Sequence, residues 1–199
     1  MAEQNPCLVI APHPDDETLG CGGTILKLKS KDIPVHWLIV TTIEGVSGFT
    51  EERAEKRKSE ITSVNKAYGF DGIHQCALPA TGLDTISKGA LVSAISDVIH
   101  RVRPQTVYIP YRNDVHSDHG AVFDAAVSAT KTFRSPFLKS VYMYETLSET
   151  DFCLRPDDPG FRPNLYEDIS DHLSDKISIM SLFDGEMGPF PFPRSEECI

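Results

Sequence analysis

The chain has 199 residues, of which 40% are hydrophobic and 24% charged, an ordinary composition for a single globular domain spanning 1–199. Its formal net charge of −10 repels phosphate backbones and anionic membrane surfaces, which argues against nucleic acid as a partner. The five cysteines are scattered and form no C-x-x-C pair, which favours a reducing compartment. The start of the chain (MAEQNPC) has no signal-peptide pattern, and the sequence has no apolar run of ~20 residues. Together these features predict a cytoplasmic protein without membrane insertion.

Strands alternate with helices along the chain. Short apolar, β-branched runs predict strands at 7–11, 35–42, 73–78, 106–110 and 140–146. Apolar residues at helical spacing predict helices at 18–31, 51–69, 86–103 and 119–133. In the C-terminal part we expect a short strand at 164–170, followed by a helix from Ser170 to about Phe183. This alternation predicts an α/β fold, in which a parallel sheet lies between helices on both faces.

Two polar clusters directly follow two of the predicted strands. The segment APHPDDETLG (11–20) follows the first strand, and NDVHSDHG (113–120) follows the fourth. In an open parallel sheet, ligands bind beyond the carboxyl ends of the strands. We therefore expect the two clusters to emerge at the same edge of the sheet and to lie close together.

A bound divalent cation explains why carboxylates stand side by side in the first cluster. His13 and Asp16 can supply two zinc ligands from one loop, and either His116 or His119 can supply the third, which leaves one position open for water. Asp15 is then free to act as a base on this water. The remaining histidine can stabilise an oxyanion or protonate a leaving amine. The same donor set also suits Fe²⁺, Co²⁺ or Mn²⁺.

Several of these residues also have a purely structural interpretation. Asp15 suits the positive end of the following helix, and Thr18 suits an N-cap. Asp118 can cap a helix, or it can orient a histidine through its ring N–H. The glycines of LGCGGT (19–24) partly match a dinucleotide-binding G-x-G-x-x-G loop, but the acidic loop before them would repel pyrophosphate. Close packing of the helix on the sheet explains these glycines better.

The two clusters carry recognisable motifs. A-x-H-P-D-D-E stands at 11–17 and is followed by LGCGGTI, and H-x-D-H stands at 116–119 after PYRND. With these motifs the chain resembles the PIG-L/LmbE-like family of zinc-dependent N-acetyl-sugar deacetylases, over about residues 7–183. Further likeness lies in YETLSE (144–149), in DISDHLSDKISIM (168–180) and in the position of Arg57 before Gly69.

The resemblance implies a fold, a reaction and roles for seven residues. The fold is a Rossmann-like three-layer sandwich with a mostly parallel sheet, and the reaction is removal of the N-acetyl group from an amino sugar or its conjugate. The implied roles are zinc binding by His13, Asp16 and His119, general base for Asp15, oxyanion stabiliser and acid for His116, support of that histidine for Asp118, and substrate contact for Arg57. Family members usually continue past RSEECI with a further helix, so the C-terminus is expected to be short relative to the family.

The sequence leaves alternatives open at the level of substrate and activity. A metal-dependent hydrolase of a non-sugar amide or an ester would use the same residues. A homologue that binds sugar or metal without turnover is a further alternative, suggested by the short C-terminus. The predicted partner is a small N-acetylated amino sugar or glycoconjugate. The apolar tail GPFPFP (188–193) can pack on its own domain or on a second copy, so a homo-oligomer also stays open.

Overall fold

The computed structural model of the protein describes residues 5–153, 157 and 160–199. Its five strands are β1 (Cys7–Ala11), β2 (Val35–Thr42), β3 (Gly72–Pro79), β4 (Thr106–Pro110) and β5 (Ser140–Tyr144). All neighbouring strands pair in parallel, in the order β3–β2–β1–β4–β5. The chain therefore leaves the sheet centre in both directions, first from β1 toward β3 and later from β4 toward β5, as in the predicted Rossmann-like fold.

The helices connect these strands. They are α1 (Asp16–Ser30), α2 (Glu51–Tyr68), α3 (Lys88–Val102), α4 (Ser117–Ala129) and α5 (Leu173–Met180), with 3-10 turns at Leu83–Thr85 and Ser170–His172. Both α1 and α4 begin two residues earlier than predicted, because part of each polar cluster forms the first helical turn. None of the helices within the described residues is long and apolar enough to cross a membrane.

The predicted strand at 164–170 is wrong. Residues 161–169 form no strand, and Leu165 and Tyr166 are exposed by 57% and 78%. The side chains of Leu165 and Tyr166 therefore face solvent, where they cannot form the buried side of a strand in a covered parallel sheet. The helix expected after it is present as the 3-10 turn followed by α5.

Two helical layers cover the sheet. Alternating residues of the central strands point to opposite faces, so Val9 and Trp37 pack on the side of α1, α2 and α5, whereas Leu8 and Leu38 pack on the side of α3 and α4. All four side chains are fully buried. This arrangement confirms the three-layer sandwich.

Glycines in α1 permit close packing of that helix. A Cβ atom on Gly20 would lie 2.3 Å from Cδ2 of Tyr144, and one on Gly23 would lie 2.5 Å from the Ile169 side chain. The hydroxyl of Tyr144 in turn donates a 2.8 Å hydrogen bond to the carbonyl of Ile10. These contacts fix the start of α1 against the carboxyl ends of β1 and β5, as the packing interpretation of the glycines predicts.

Candidate metal centre and active site

The two polar clusters meet beyond the carboxyl ends of β1 and β4. These neighbouring strands flank the point where the strand order reverses, which is where ligands bind in doubly wound folds. The ring centroids of His13 and His116 are 4.5 Å apart, and those of His13 and His119 are 5.4 Å apart. The prediction that the clusters lie together is confirmed.

Three of the predicted ligands face one another. The Oδ2 atom of Asp16 lies 3.3 Å from Nδ1 of His13 and 3.3 Å from Nε2 of His119. One ligand atom from each residue lies within 4.8 Å of the others, a spacing that can surround a metal ion. A second group that shares His13 and adds His116 and Asp118 has similar spacing.

The surroundings of the two histidines favour the first group. The Nδ1 atom of His119 lies 2.7 Å from Oδ2 of Asp114, whereas its Nε2 atom is buried and has no hydrogen-bond partner. The Nε2 atom of His13 lies 3.0 Å from Oδ2 of Asp118. Each imidazole thus has a carboxylate on the nitrogen that faces away from Asp16, the usual arrangement for a metal-ligating histidine. The residues present fit a divalent cation.

The charge balance at the three residues agrees with this fit. Burial disfavours charged imidazoles, but hydrogen bonds to Asp118 and Asp16 outweigh it and raise the pKa of His13 to about 9. The charge of Asp16 and the bond to Asp114 likewise overcome burial and raise the pKa of His119 to about 10. Burial alone would raise the pKa of Asp16, yet the two histidines keep it well below its usual range. Binding of a divalent cation at these residues would therefore displace protons from the two imidazoles.

The carboxylate of Asp118 contacts His13 instead of His116. It accepts hydrogen bonds from the backbone N–H groups of Thr81 (2.8 Å) and Leu83 (3.1 Å), and its Oδ2 lies 4.0 Å from Nδ1 of His116. The carboxylate is therefore placed to orient the His13 ring, whereas Asp118 contacts His116 through its backbone N–H. The support of His116 by Asp118 that the resemblance implies stays a prediction.

His116 is the N-cap residue of α4. Its Nδ1 atom accepts a 3.1 Å hydrogen bond from the backbone N–H of Asp118. Burial and the charge of His13 lower the pKa of His116. A neutral ring whose Nδ1 accepts carries its proton on Nε2, so His116 can donate a hydrogen bond from that atom.

Asp15 occupies the N-cap position of α1, but its side chain makes no capping hydrogen bond. Its backbone has φ 141°, a conformation that side chains rarely adopt, and its N–H donates to Oε2 of Glu17 at 3.1 Å. Burial, Asp16 and Glu186 raise the pKa of Asp15 to about 7. Thr18 lies inside the first turn and donates to Oε1 of Glu17 at 2.6 Å. Glu17, the third acid of the first cluster, therefore supports the loop that carries Asp15 through these two hydrogen bonds.

A pocket of about 270 Å³ opens beside these residues. Its lining includes Asp15, Asp16, His13 and His116, and also Arg57. The residues that line the rest of the pocket include Thr42, Ile43, Glu44, Phe49, Lys58, Gln75, Ala77 and Thr81.

Within the pocket lining, Arg57 contacts other groups of the protein. Its Nη1 donates to the carbonyl of Pro14 at 2.7 Å, its Nε lies 3.1 Å from Glu60, and its Nη2 bonds to Glu186. Each Nη atom keeps a second N–H, which leaves Arg57 able to contact a ligand as well.

Sequence reasoning missed several residues of the site. Asp114 lies inside the second cluster, and its place before His119 was an available signal. Glu186 and Arg194 come from the C-terminal segment, where no motif marks them. The Nη1 atom of Arg194 lies 3.0 Å from Oδ2 of Asp15 and 2.9 Å from Oε2 of Glu186.

Comparisons with known proteins agree with the A-x-H-P-D-D-E and H-x-D-H motifs of the two polar clusters. YaiS of Escherichia coli (strain K12), named an uncharacterized deacetylase, is 28% identical over 173 residues, which are 82% of each chain. A Bacillus subtilis (strain 168) protein named "Probable N-acetyl-alpha-D-glucosaminyl L-malate deacetylase 2" is 30% identical over 130 residues, 61% of this chain and 59% of that protein. Among solved structures, the conserved protein TT1542 from Thermus thermophilus has a TM-score of 0.71 at 26% identity, over 89% of this chain and 78% of that chain.

The family assignment rests on a match to more than half of the chain. The family described as "PIG-L: GlcNAc-PI de-N-acetylase" matches residues 8–130, which contain both polar clusters and the strands that carry them. The chain belongs to the PIG-L family.

Proposed function

We propose that the protein is a divalent-metal-dependent hydrolase that removes the N-acetyl group from an amino sugar or its conjugate. The observation that carries the proposal is the buried Nε2 atom of His119, which has no hydrogen-bond partner and faces Asp16 and His13 beside a ligand-sized pocket. Membership in the PIG-L family and the deacetylase names of the relatives support the reaction class.

His13, Asp16 and His119 would bind the ion through Nδ1, Oδ2 and Nε2. Two imidazoles and one carboxylate suit Zn²⁺, and Fe²⁺, Co²⁺ or Mn²⁺ are accepted by the same donors. When bound, the ion would act as a Lewis acid on the amide carbonyl and lower the pKa of the attacking water. The carboxylates of Asp114 and Asp118 keep the two rings oriented from behind.

The remaining residues of the site supply proton transfer and charge stabilisation. Asp15 takes a proton from the water that attacks the amide carbonyl carbon, and its pKa of about 7 suits that task near neutral pH. His116 donates a hydrogen bond from Nε2 to the oxygen that becomes negative. The C–N bond then breaks, Asp15 gives the proton that it took from the water to the leaving amine, and acetate is released.

The pocket supports a small substrate. Its volume of about 270 Å³ is close to the lower end of the ~300–1,000 Å³ range of ligand pockets, which suits one sugar ring with the rest of a conjugate extending outward. Phe49, exposed by 42%, and polar side chains such as Gln75 and Arg57 line it. An apolar face with several hydrogen-bonding groups suits a sugar, and we propose Arg57 as one substrate contact.

The direct test replaces the base. Asp15→Asn keeps the size of the side chain but removes its ability to take a proton, so acetate release from N-acetylglucosamine conjugates should fall by about 10²–10⁴-fold. Metal content, measured by elemental analysis, should stay unchanged. Asp84→Asn, which alters an exposed carboxylate in the loop after β3, is the matched control and should keep full activity.

Two results would count against the proposal. Full activity of Asp15→Asn would contradict the role of the base. Wild-type protein that releases acyl groups from non-sugar amides or esters, but no acetate from any amino sugar, would contradict the substrate class.

A further inference from the structure

The C-terminal segment, residues 184–199, is packed against the domain. Ser195 is fully buried, and Met187 and Ile199 pack on the core layer formed by α1, α2 and α5. Backbone hydrogen bonds from Ser195 to Phe192 (2.9 Å) and from Ile199 to Ser195 (3.1 Å) fold the end of the segment into turns. Arg194 lies inside the first of these turns and is therefore placed by the segment's own packing.

The guanidinium of Arg194 enters the active site and contacts four side chains. Its Nε donates to Oγ of Ser148 at 2.6 Å, and its Nη1 donates to Asp15 at 3.0 Å and to Glu186 at 2.9 Å. Its Nη2 lies 3.6 Å from Glu149. The side chain is 16% exposed, and the planar guanidinium has one orientation that satisfies these partners together.

Glu186 joins this arginine to a second one. Its Oε1 accepts from Arg57, whose Nη1 donates to the carbonyl of Pro14. The loop that carries Asp15 is thus contacted at two adjacent points, at the carbonyl of the preceding residue by Arg57 and at the carboxylate by Arg194.

The carboxylate of Asp15 needs a cation to stay in this position. It lies close to the negative charges of Asp16 and Glu186, and its backbone has an unfavourable conformation. Among the residues that the structure describes, Arg194 is the cationic side chain in ion-pair contact with it. Among the described residues, Arg194 is also the side chain that donates a hydrogen bond to this carboxylate, so its removal leaves Asp15 beside the negative charge of Glu186 without that support.

We propose that Arg194 is a positioning residue for Asp15, so that the C-terminal segment forms part of the working active site. The proposal rests on the function proposed above, in which Asp15 is the base. A base misplaced by about 1 Å can cost about 10²-fold in rate. The ion pair between Arg194 and Oδ2 of Asp15 leaves Oδ1 as the oxygen that takes the proton.

The test compares Arg194→Ala, Arg194→Lys and Lys56→Ala in the full chain. Lys56 pairs with Asp184 of the same segment and has no contact with Asp15, so Lys56→Ala controls for a loosened segment. We expect Arg194→Ala to lower kcat for acetate release by about 10²-fold with little change in KM, zinc content or melting temperature. Arg194→Lys should regain part of the rate, and guanidinium ion added at non-denaturing concentration should partly restore Arg194→Ala. Lys56→Ala should match the wild type.

The other outcomes overturn the proposal in distinguishable ways. Unchanged or increased kcat in Arg194→Ala, with an active wild type, would overturn the positioning role and leave the proposed function in place. An effect on KM alone would make Arg194 a substrate contact. Wild-type protein without acetate release would overturn the proposed function and this inference together. If Arg194→Ala does not fold, Arg194→Gln, which can still bond to Ser148, takes its place with the same expected loss.

Discussion

Replacing Asp114 by asparagine removes one negative charge behind His119 without removing volume. Asp114 is 2% exposed, and its Oδ2 lies 2.7 Å from Nδ1 of His119. Its Oδ1 accepts a 2.6 Å hydrogen bond from the hydroxyl of Thr150. Asparagine replaces one of the two acceptor oxygens by an NH2 donor and carries no charge, so the negative charge behind His119 is lost even where both contacts are kept.

The expected effect of Asp114→Asn is a loss of metal affinity. Removal of a carboxylate that orients a ligating histidine typically weakens metal binding by about 10–100-fold. This corresponds to about 1.4–2.7 kcal/mol. A similar figure, about 1.5–3 kcal/mol, applies to a hydrogen bond with a charged partner, which is what joins Asp114 and His119.

Zinc titration against a competing chromophoric chelator measures this affinity at constant pH. Asp124→Asn is the matched control, because Asp124 lies on α4 and pairs with Lys88 at the surface. We expect the dissociation constant to rise for Asp114→Asn and to stay at the wild-type value for Asp124→Asn. A folded Asp114→Asn protein that binds zinc as tightly as the wild type would refute the assignment of His119 as a metal ligand supported by Asp114.

Two further predictions concern stability away from the metal centre. Gly20→Ala would place a Cβ 2.3 Å from Tyr144, and we expect a loss of about 1–3 kcal/mol in the free energy of unfolding, measured with urea. Gly89→Ala, in α3 with no atom within 4 Å of the new Cβ, should instead gain up to about 1 kcal/mol, and equal effects would contradict the packing account. Burial lowers the pKa of both His36 and His74, so the folded state binds protons less readily than the unfolded state, whose histidine pKa is about 6.5. The contribution of these two histidines to stability is present above this pH and is lost as the pH falls below it. Between about pH 7.5 and about pH 5.5 the free energy of unfolding should therefore fall more for the wild type than for His74→Gln. Parallel plots of unfolding free energy against pH for the two proteins would contradict this.

The sequence predicts the centre of the sheet well because its strands β1 and β2 are nearly continuous apolar runs. A strand covered on both faces has no solvent side, so CLVIA and VHWLIV are recognisable without alternation. The same parallel topology predicts where the site lies. His13 and His119 are far apart in sequence, but each follows the carboxyl end of a central strand, and neighbouring parallel strands bring those ends together.

Contacts that depend on tertiary packing could not be predicted from the sequence. The H-x-D-H motif places Asp118 next to His116 along the chain, but the backbone N–H groups of Thr81 and Leu83 fix its carboxylate against His13. Arg194 reaches Asp15 across 179 residues from a Pro-rich segment without regular structure, and no local pattern marks such a contact.

The most direct test of the account is the metal content of the purified protein, measured together with acetate release from N-acetylglucosamine conjugates before chelation, after chelation and after zinc is returned. The account predicts about one divalent ion per chain. It also predicts acetate release that the chelator abolishes and zinc restores. Protein that takes up no metal when zinc is supplied, or that releases acetate at an unchanged rate after the metal is removed, would contradict the assignment of His13, Asp16 and His119 as a catalytic metal site.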